Sequence, residues 1–200
     1  GRLRMRSQAP ATGQVWFEHR LDVLRAHVEK LWDAARRQRA GEVGRPTAWW
    51  DLIFSVRARP EDGATPAYWL LHEHGYVAYR VNEQWNDGHP SHRLDVVEMI
   101  TVTDEAGAAL WHTLLSMDLI GEITAAVPLD DPLPYWLDNY RAVRTTSVND
   151  WLWFRPHDTA AMFAARTYGT NDGIVVQVDD VRLLIDGSPL GATVTNTDSE

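Results

Sequence analysis

The chain has 200 residues, 44% of them hydrophobic and 24% charged, a balance typical of a folded protein with one domain or one domain and part of another. Its net charge of −9 excludes the basic surface that non-specific nucleic-acid binding needs and favours cationic partners. No apolar run reaches the roughly 18 residues of a membrane span, and no apolar stretch follows the basic start as in a signal peptide. There is no cysteine, which excludes disulfides and thiolate chemistry; we expect a cytoplasmic location, although this absence does not exclude secretion.

The first two predicted elements are helices. Apolar residues at three- and four-residue spacing predict an amphipathic helix that begins at Leu21 and ends before Gly41. Pro46 is a favourable first helical residue, and it predicts a second helix that contains Trp49 and Trp50. Because adjacent helical residues point about 100° apart, we expect one of these tryptophans to face the core and the other to face away. Residues 1–20 are treated as a connecting segment.

Strands and a third helix follow. Thr103 predicts the N-cap of that helix, with Asp104 and Glu105 in its first turn. The β-type patterns predict six strands, at residues 68–72, 76–81, 94–102, 123–127, 143–147 and 151–154. Together these elements predict that residues 21–155 form an α+β domain, in which helices flank a mixed sheet.

The pattern changes after Arg155. Asp158 is a candidate N-cap of a short helix. Three short strands are predicted after it, at residues 174–178, 181–185 and 192–194. We expect residues 156–200 to form a second α+β segment that is incomplete as a domain.

Histidine and aspartate pairs were weighed as sites. His72 and His74 share one face of a strand and His89 and His92 lie in a loop, but no carboxylate completes a ligand set at a recognisable spacing. We therefore predict no metal site, and expect these histidines to be satisfied at the surface. Two neighbouring aspartates at 130 and 131 lie beside prolines, where local turn hydrogen bonds explain them better than acid–base chemistry does.

Several segments resemble the Eis (enhanced intracellular survival) family of GNAT N-acetyltransferases, and their order and spacing match the family from about residue 20 to residue 195. The matching segments are Arg45-Pro46-Thr47-Ala48-Trp49-Trp50-Asp51, residues 71–81, Ala109-Leu110-Trp111-His112, residues 130–134, residues 150–155 and residues 164–168. No single motif is decisive, and the ordered set carries the resemblance.

The resemblance implies a place within a larger protein. Members of the family have an N-terminal GNAT domain, a central GNAT-like domain and a C-terminal domain similar to sterol carrier proteins. This chain resembles the central domain followed by the beginning of the third. The family transfers acetyl from acetyl-CoA to amines, including aminoglycosides and lysine side chains, and its members assemble as hexamers. We therefore expect an amine substrate, acetyl-CoA as the cofactor and a homo-oligomer.

The sequence departs from the family pattern at the cofactor loop. A GNAT domain holds the cofactor pyrophosphate with a loop such as V-x-P-x-x-R-x-x-G/A at a helix N-terminus. The corresponding residues 102–107 place Asp104 and Glu105 there, and like charges repel phosphates. We assign no cofactor-binding residue. The resemblance places the general acid, a tyrosine, in the N-terminal domain and the base at the C-terminal carboxylate, so we assign no catalytic residue either.

One site residue is carried over. The tryptophan of the family's R-P-x-x-x-W-D segment lies by the amine pocket and matches Trp50. An aromatic wall attracts a cationic amine with roughly 0.5–2 kcal/mol. Packing in the core is the competing interpretation of the same residue. Two further tryptophans, Trp85 and Trp136, are expected to be exposed and to mark interfaces.

Two functional hypotheses follow. In the first, the chain is part of an Eis-like N-acetyltransferase, supplies the central domain and part of the substrate pocket, and is inactive alone. In the second, it is a non-catalytic module for assembly or for binding an apolar ligand.

Overall fold

The computed structural model describes residues 5, 9–39, 41–150 and 152–197. The chain divides into two compact units, Gly1–Ser147 and Val148–Glu200. This division lies eight residues before the predicted one at residue 155.

The first unit contains helices and strands in the predicted order. In chain order these elements are β1 (Trp16–Phe17), α1 (Leu21–Arg36), α2 (Thr47–Arg57), β2 (Tyr68–His72), β3 (Gly75–Asn82), β4 (Trp85–Asn86), β5 (His89–Pro90), β6 (His92–Thr101), α3 (Asp104–Ser116), β7 (Ile120–Ala125), α4 (Leu133–Trp136) and a 3-10 turn (Tyr140–Ala142). The predicted starts of the first three helices are confirmed to within one residue, and Pro46 caps α2 as the residue just before it.

A five-stranded sheet forms the centre of this unit, in the order β1-β2-β3-β6-β7. Its pairs are antiparallel except for β6 and β7, which run parallel and are joined through α3. The parallel pairing ends at Val96 and Ala125, whereas β6 continues to Thr101. The mixed sheet with flanking helices confirms the predicted GNAT-like fold class.

A β-bulge interrupts β6. Ala78 pairs with Glu98 and the next residue of β3, Tyr79, pairs with Val96, so Val97 is an extra residue. Because of the extra residue, even-numbered residues before and after the bulge point to opposite faces of the sheet. Val96 packs in the core on the α3 side, whereas Ile100 packs in the core on the α1 and α2 side. Bulges of this kind re-aim side chains, and the side chain re-aimed here is that of Glu98.

Two predicted strands are wrong. Residues 143–147 and 152–154 have no regular secondary structure, and Trp151 lies outside the described residues. Their side chains are largely exposed, and no described strand pairs with them. β propensity reflects packing against neighbouring strands. An apolar pattern without a partner strand is therefore not enough to form a strand at these residues.

The second unit is a helix and a three-stranded sheet. It consists of α5 (Thr159–Ala164), β8 (Asp172–Val178), β9 (Val181–Ser188) and β10 (Gly191–Asn196), with antiparallel order β10-β9-β8. The Asp158 carboxylate accepts a hydrogen bond from the amide of Ala161 at 2.8 Å, which confirms the predicted cap. Leu183 and Ile185 are its buried residues on β9. In the part of the chain that the structure describes, we find no helix that is both long enough and apolar enough to cross a membrane.

Candidate functional site

Three side chains meet around a largely buried carboxylate, that of Glu98. Arg45 reaches both of its oxygens, with Nη2–Oε1 at 2.6 Å and Nη1–Oε2 at 3.3 Å. Arg57 donates to Oε2 at 3.0 Å, and the Tyr76 hydroxyl donates to the same oxygen at 2.8 Å. The side chains of Glu98 and both arginines are only 11–12% exposed. The carboxylate therefore holds three donors away from bulk water.

The fold explains why these residues converge. The bulge at Val97 directs Glu98 towards α1 and α2, beside Tyr76 on β3. Arg45 lies two residues before the first residue of α2, and Arg57 is its last residue. Both ends of α2 are thus bound to one carboxylate of the sheet.

Aromatic rings line the same cluster. The Arg45 guanidinium carbon lies 3.4 Å from the Trp32 ring centroid and 4.9 Å from that of Trp50. The two indoles are nearly perpendicular, at 83°, with centroids 6.3 Å apart. Arg57 lies over Trp69 at 5.3 Å. Each arginine is therefore held by a charge on one side and by an aromatic face on the other.

Burial and charge shift two pKa values in the cluster. Burial raises the pKa of Glu98, but the hydrogen bonds from Arg45 and the charge of Arg57 outweigh it and lower the pKa to about 2. Burial and the neighbouring Glu98 charge raise the pKa of Tyr76 well above its ordinary value. Glu98 is consequently ionised and Tyr76 neutral at physiological pH, so neither is poised for proton transfer.

Trp50 lies in this cluster and not on the surface. Its side chain is 4% exposed and contacts Trp32 and Phe54, whereas Trp49 is 46% exposed. The predicted split between the two tryptophans is confirmed. The role of Trp50 as a wall of the amine pocket stays a prediction, because within this chain a cation, Arg45, already lies on its ring.

An open groove of about 240 Å³ adjoins the cluster. Its apolar lining comes from α2 and from the bulge residue, and three charged residues also line it. It is lined by Leu52, Ile53, Val56, Arg57, Glu61, Arg80 and Val97. Arg80 is occupied within the fold, since it donates to the carbonyls of Arg59 and Thr65 at 2.6 and 2.8 Å.

The N-terminus of α3 is where a GNAT domain would hold the cofactor pyrophosphate. Thr103 caps it, accepting from the amide of Ala106 at 3.3 Å, and exposed Asp104 and Glu105 follow. A third carboxyl lies near: burial raises the pKa of Asp131, the hydrogen bond from the Leu133 amide and the charge of Arg39 lower it, and the charges of Asp130 and Asp104 raise it. The residues present do not fit a polyanion, because the carboxylates of Asp104 and Glu105 lie in the first turn, where its negative charge would have to bind.

A short helix also covers this end of α3. Trp136 of α4 lies against Gly107, so that a Cβ at that glycine would be 3.1 Å from the indole ring. The prediction that Trp136 is exposed is therefore wrong: it packs against the core that α3 covers. The same prediction for Trp85, which is 67% exposed, is confirmed. Asp131 accepts from the amide of Leu133 at 2.9 Å, the expected turn hydrogen bond.

The histidines form no cluster that could hold a metal, and within the described ranges no group of three or more metal-binding side chains was found. His72 is buried at 4% exposure, which corrects the expectation of a surface residue. It is satisfied locally, since Nδ1 accepts from the amide of His74 at 3.1 Å and Nε2 lies 2.9 Å from the carbonyl of Thr12. His92 similarly accepts from the amide of Gln84 at 3.0 Å.

The cluster around Glu98 was missed in the sequence analysis. One signal was available: a glutamate within the apolar run 96–100 of a strand. Glutamate is almost never buried without a partner, so such a position predicts an arginine or lysine elsewhere in the chain. The identity of those partners is not visible locally, since Arg45 and Arg57 lie 53 and 41 residues away.

Known proteins resemble the chain in both sequence and fold. A family model described as an acetyltransferase (GNAT) domain matches residues 41–179. An uncharacterized N-acetyltransferase of Streptomyces avermitilis is 33% identical over 167 residues, which cover 80% of this chain and 40% of that protein. The N-acetyltransferase Eis of Mycobacterium tuberculosis is 34% identical over 160 residues, covering 78% of this chain and 38% of that protein.

A solved structure agrees with these matches. The crystal structure of Eis1 from Mycobacterium abscessus is 27% identical with a TM-score of 0.76, covering 98% of this chain and 51% of that chain. The chain thus spans about half, or less, of the length of the proteins it matches. The resemblance found in the sequence is confirmed: the chain belongs to the acetyltransferase (GNAT) domain family and is Eis-like within it.

Proposed function

We propose that the chain is part of an Eis-like N-acetyltransferase that transfers acetyl from acetyl-CoA to an amine, aminoglycoside or lysine-type, and that it supplies the central GNAT-like domain without holding the cofactor. The family match supports the reaction. The assignment of the cofactor to another domain rests on the N-terminus of α3. Asp104 and Glu105 lie in its first turn, Asp131 is close enough to feel the charge of Asp104, and Trp136 packs against Gly107.

The electrostatic argument is direct. A pyrophosphate gains stability at a helix N-terminus from unpaired amides and the positive end of the helix dipole. Here the Thr103 hydroxyl already accepts a hydrogen bond from the amide of Ala106. The carboxylates of Asp104 and Glu105 already complement the positive end of the helix dipole. A pyrophosphate would meet repulsion instead of attraction. The cofactor site of the complete enzyme accordingly belongs to another domain.

The remaining family expectations are part of the same proposal. Trp50 would contact the substrate only if Arg45 moved away from its ring. The second unit would begin a sterol-carrier-like domain, and the complete enzyme would be a homo-oligomer, a hexamer by resemblance, in the cytoplasm. The comparisons give no support to the alternative of a non-catalytic module.

The test is acetyl-CoA binding and turnover by this chain and by the complete product of its gene. Calorimetry should detect no micromolar binding of acetyl-CoA to the 200-residue chain, and a turnover assay should detect no acetylation of an aminoglycoside or of lysine. The complete protein should bind acetyl-CoA and acetylate such an amine. The double variant Asp104→Asn/Glu105→Gln is a matched control, because removing two charges should not create a site that Trp136 still covers. Micromolar binding by the unmodified chain would contradict the proposal.

A further inference from the structure

We propose that Trp32, Trp50, Tyr76 and Glu98 form a guanidinium-binding site, that Arg45 fills it as an exchangeable internal ligand, and that the site accepts an external alkylguanidinium cation when Arg45 leaves. This inference concerns a ligand site within the chain itself and does not depend on acetyl transfer.

The geometry fits a planar cation. The guanidinium carbon of Arg45 is 3.4 Å from the Trp32 centroid, which is face-to-face contact, and the perpendicular Trp50 ring closes a second side at 4.9 Å. Two guanidinium nitrogens reach the two oxygens of Glu98 as a fork. A compact ammonium group has neither a plane to stack nor a fork to match. The site therefore prefers guanidinium to ammonium.

Arg45 can leave without stranding the carboxylate. Removing the partner of a buried charge is ordinarily costly because the charge stays uncompensated. Glu98, however, keeps the Arg57 guanidinium at 3.0 Å and the Tyr76 hydroxyl at 2.8 Å. Glu98 would thus keep one of its two cations and one neutral donor if Arg45 left.

The backbone around the two arginines favours Arg45 over Arg57 as the one that leaves Glu98. Arg57 is the last residue of α2, so the helix fixes the position of its backbone. Arg45 lies in the irregular segment that precedes α2, near Gly41, whose φ is 89°, and beside Val43, which is 44% exposed. Pro46, at a φ of −68°, separates that segment from the helix. Residues 41–45 thus lie outside α2, and their displacement would leave its hydrogen bonds intact. It would have to break the hydrogen bond that the Trp32 indole donates to the Val43 carbonyl at 3.2 Å.

The test replaces the internal ligand with a small one. In Arg45→Ala the lost atoms correspond to ethylguanidinium, so ethylguanidinium chloride is the probe and ethylammonium chloride is its matched competitor. We expect tryptophan fluorescence and the melting temperature to report ethylguanidinium binding about tenfold tighter than ethylammonium binding. Unmodified protein should bind ethylguanidinium at least about tenfold more weakly than Arg45→Ala, because its site is occupied.

Arg93→Ala is the matched control. It removes another arginine from a carboxylate pair, Arg93–Asp95 at 3.0 Å on the same strand, but outside the indole cage. It should show no preference for ethylguanidinium. If Arg45→Ala is unfolded without ligand, the same titration is read as refolding by circular dichroism, and ethylguanidinium should refold it at lower concentration than ethylammonium. The proposal is overturned if Arg45→Ala responds equally to the two cations, or if Arg93→Ala prefers ethylguanidinium as strongly as Arg45→Ala does.

Discussion

Glu98 shows at the scale of one residue how a charge becomes part of a core. Burial alone would neutralise a carboxylate, and two guanidinium groups with one phenol reverse that tendency. Such a network adds specificity to a fold, because all three donors meet Glu98 only when α2 packs on the sheet in this orientation.

The pH dependence of stability should report Glu98. Its pKa is about 2 in the folded state against an ordinary 4.5, so its contribution is complete above about pH 4.5 and is lost as the pH falls towards 2. The shift corresponds to a contribution on the order of 3 kcal/mol. Urea unfolding of the unmodified protein and of Glu98→Gln should therefore differ most at neutral pH and converge in acid. A difference independent of pH would show that the carboxylate charge is not what stabilises the site.

The two neighbouring tryptophans of α2 should differ sharply on truncation. Trp50→Ala removes a side chain that is 4% exposed and should cost about 3–5 kcal/mol of unfolding free energy. Trp49→Ala, the matched control in the same helix, removes one that is 46% exposed and should cost less than about 1 kcal/mol. Denaturant midpoints measure both, and equal losses would be inconsistent with the packing described.

At the scale of elements, the helix N-termini are features that the sequence predicts well. Thr103 caps α3 and Asp158 caps α5, each by accepting an amide of its own first turn. These are local interactions that the chain makes without distant partners. The covering of α3 by α4 is different, since Trp136 reaches Gly107 only after the chain has passed through β7.

The cap of α3 is testable by two substitutions. Thr103→Ala removes the acceptor for the Ala106 amide and should lower the unfolding free energy by about 1 kcal/mol. Thr103→Ser keeps a hydroxyl and should cost a few tenths of that. Thermal unfolding followed by circular dichroism gives both values. If serine and alanine destabilise equally, the hydroxyl is not the cap.

At the scale of the whole chain, two compact units follow one another. The described residues on either side of their boundary, 143–150 and 152–155, are irregular and exposed. Exposed backbone without ladder hydrogen bonds is where local opening costs least.

Limited proteolysis should cut this segment first. Chymotrypsin should cleave at Trp153 or Phe154, which are 83% and 70% exposed, and release a product close to residues 1–153. Trp85 is the internal control, since it is 67% exposed but lies in a paired two-residue strand and should be cut more slowly. Mass spectrometry of the first products identifies the bond that is cut first. Initial cleavage at Trp85 would contradict the expectation.

Part of the fold and one contrast at the candidate site were predictable from sequence. The periodicities of α1, β2 and β3, the caps and the hairpin at Gly75 are interactions between residues close in the chain. The ordered segments that resemble the Eis family predicted the fold class, and the angle between adjacent helical residues predicted that Trp49 and Trp50 would face different environments. The false strand at 143–147 has the same origin as these successes, since a local pattern predicts a strand whether or not a partner strand exists.

The amino-acid sequence by itself determined α1, α2, α3 and α5, most strands, the family resemblance and the acidic character of the α3 N-terminus. Only the tertiary structure decided that Val97 bulges, that Glu98 is turned towards α2, and that Arg45 and Arg57 are its partners. The physical reason is distance along the chain. A buried carboxylate requires cations, but which cations reach it depends on how a sheet and a helix, joined through more than forty residues, come to lie against each other.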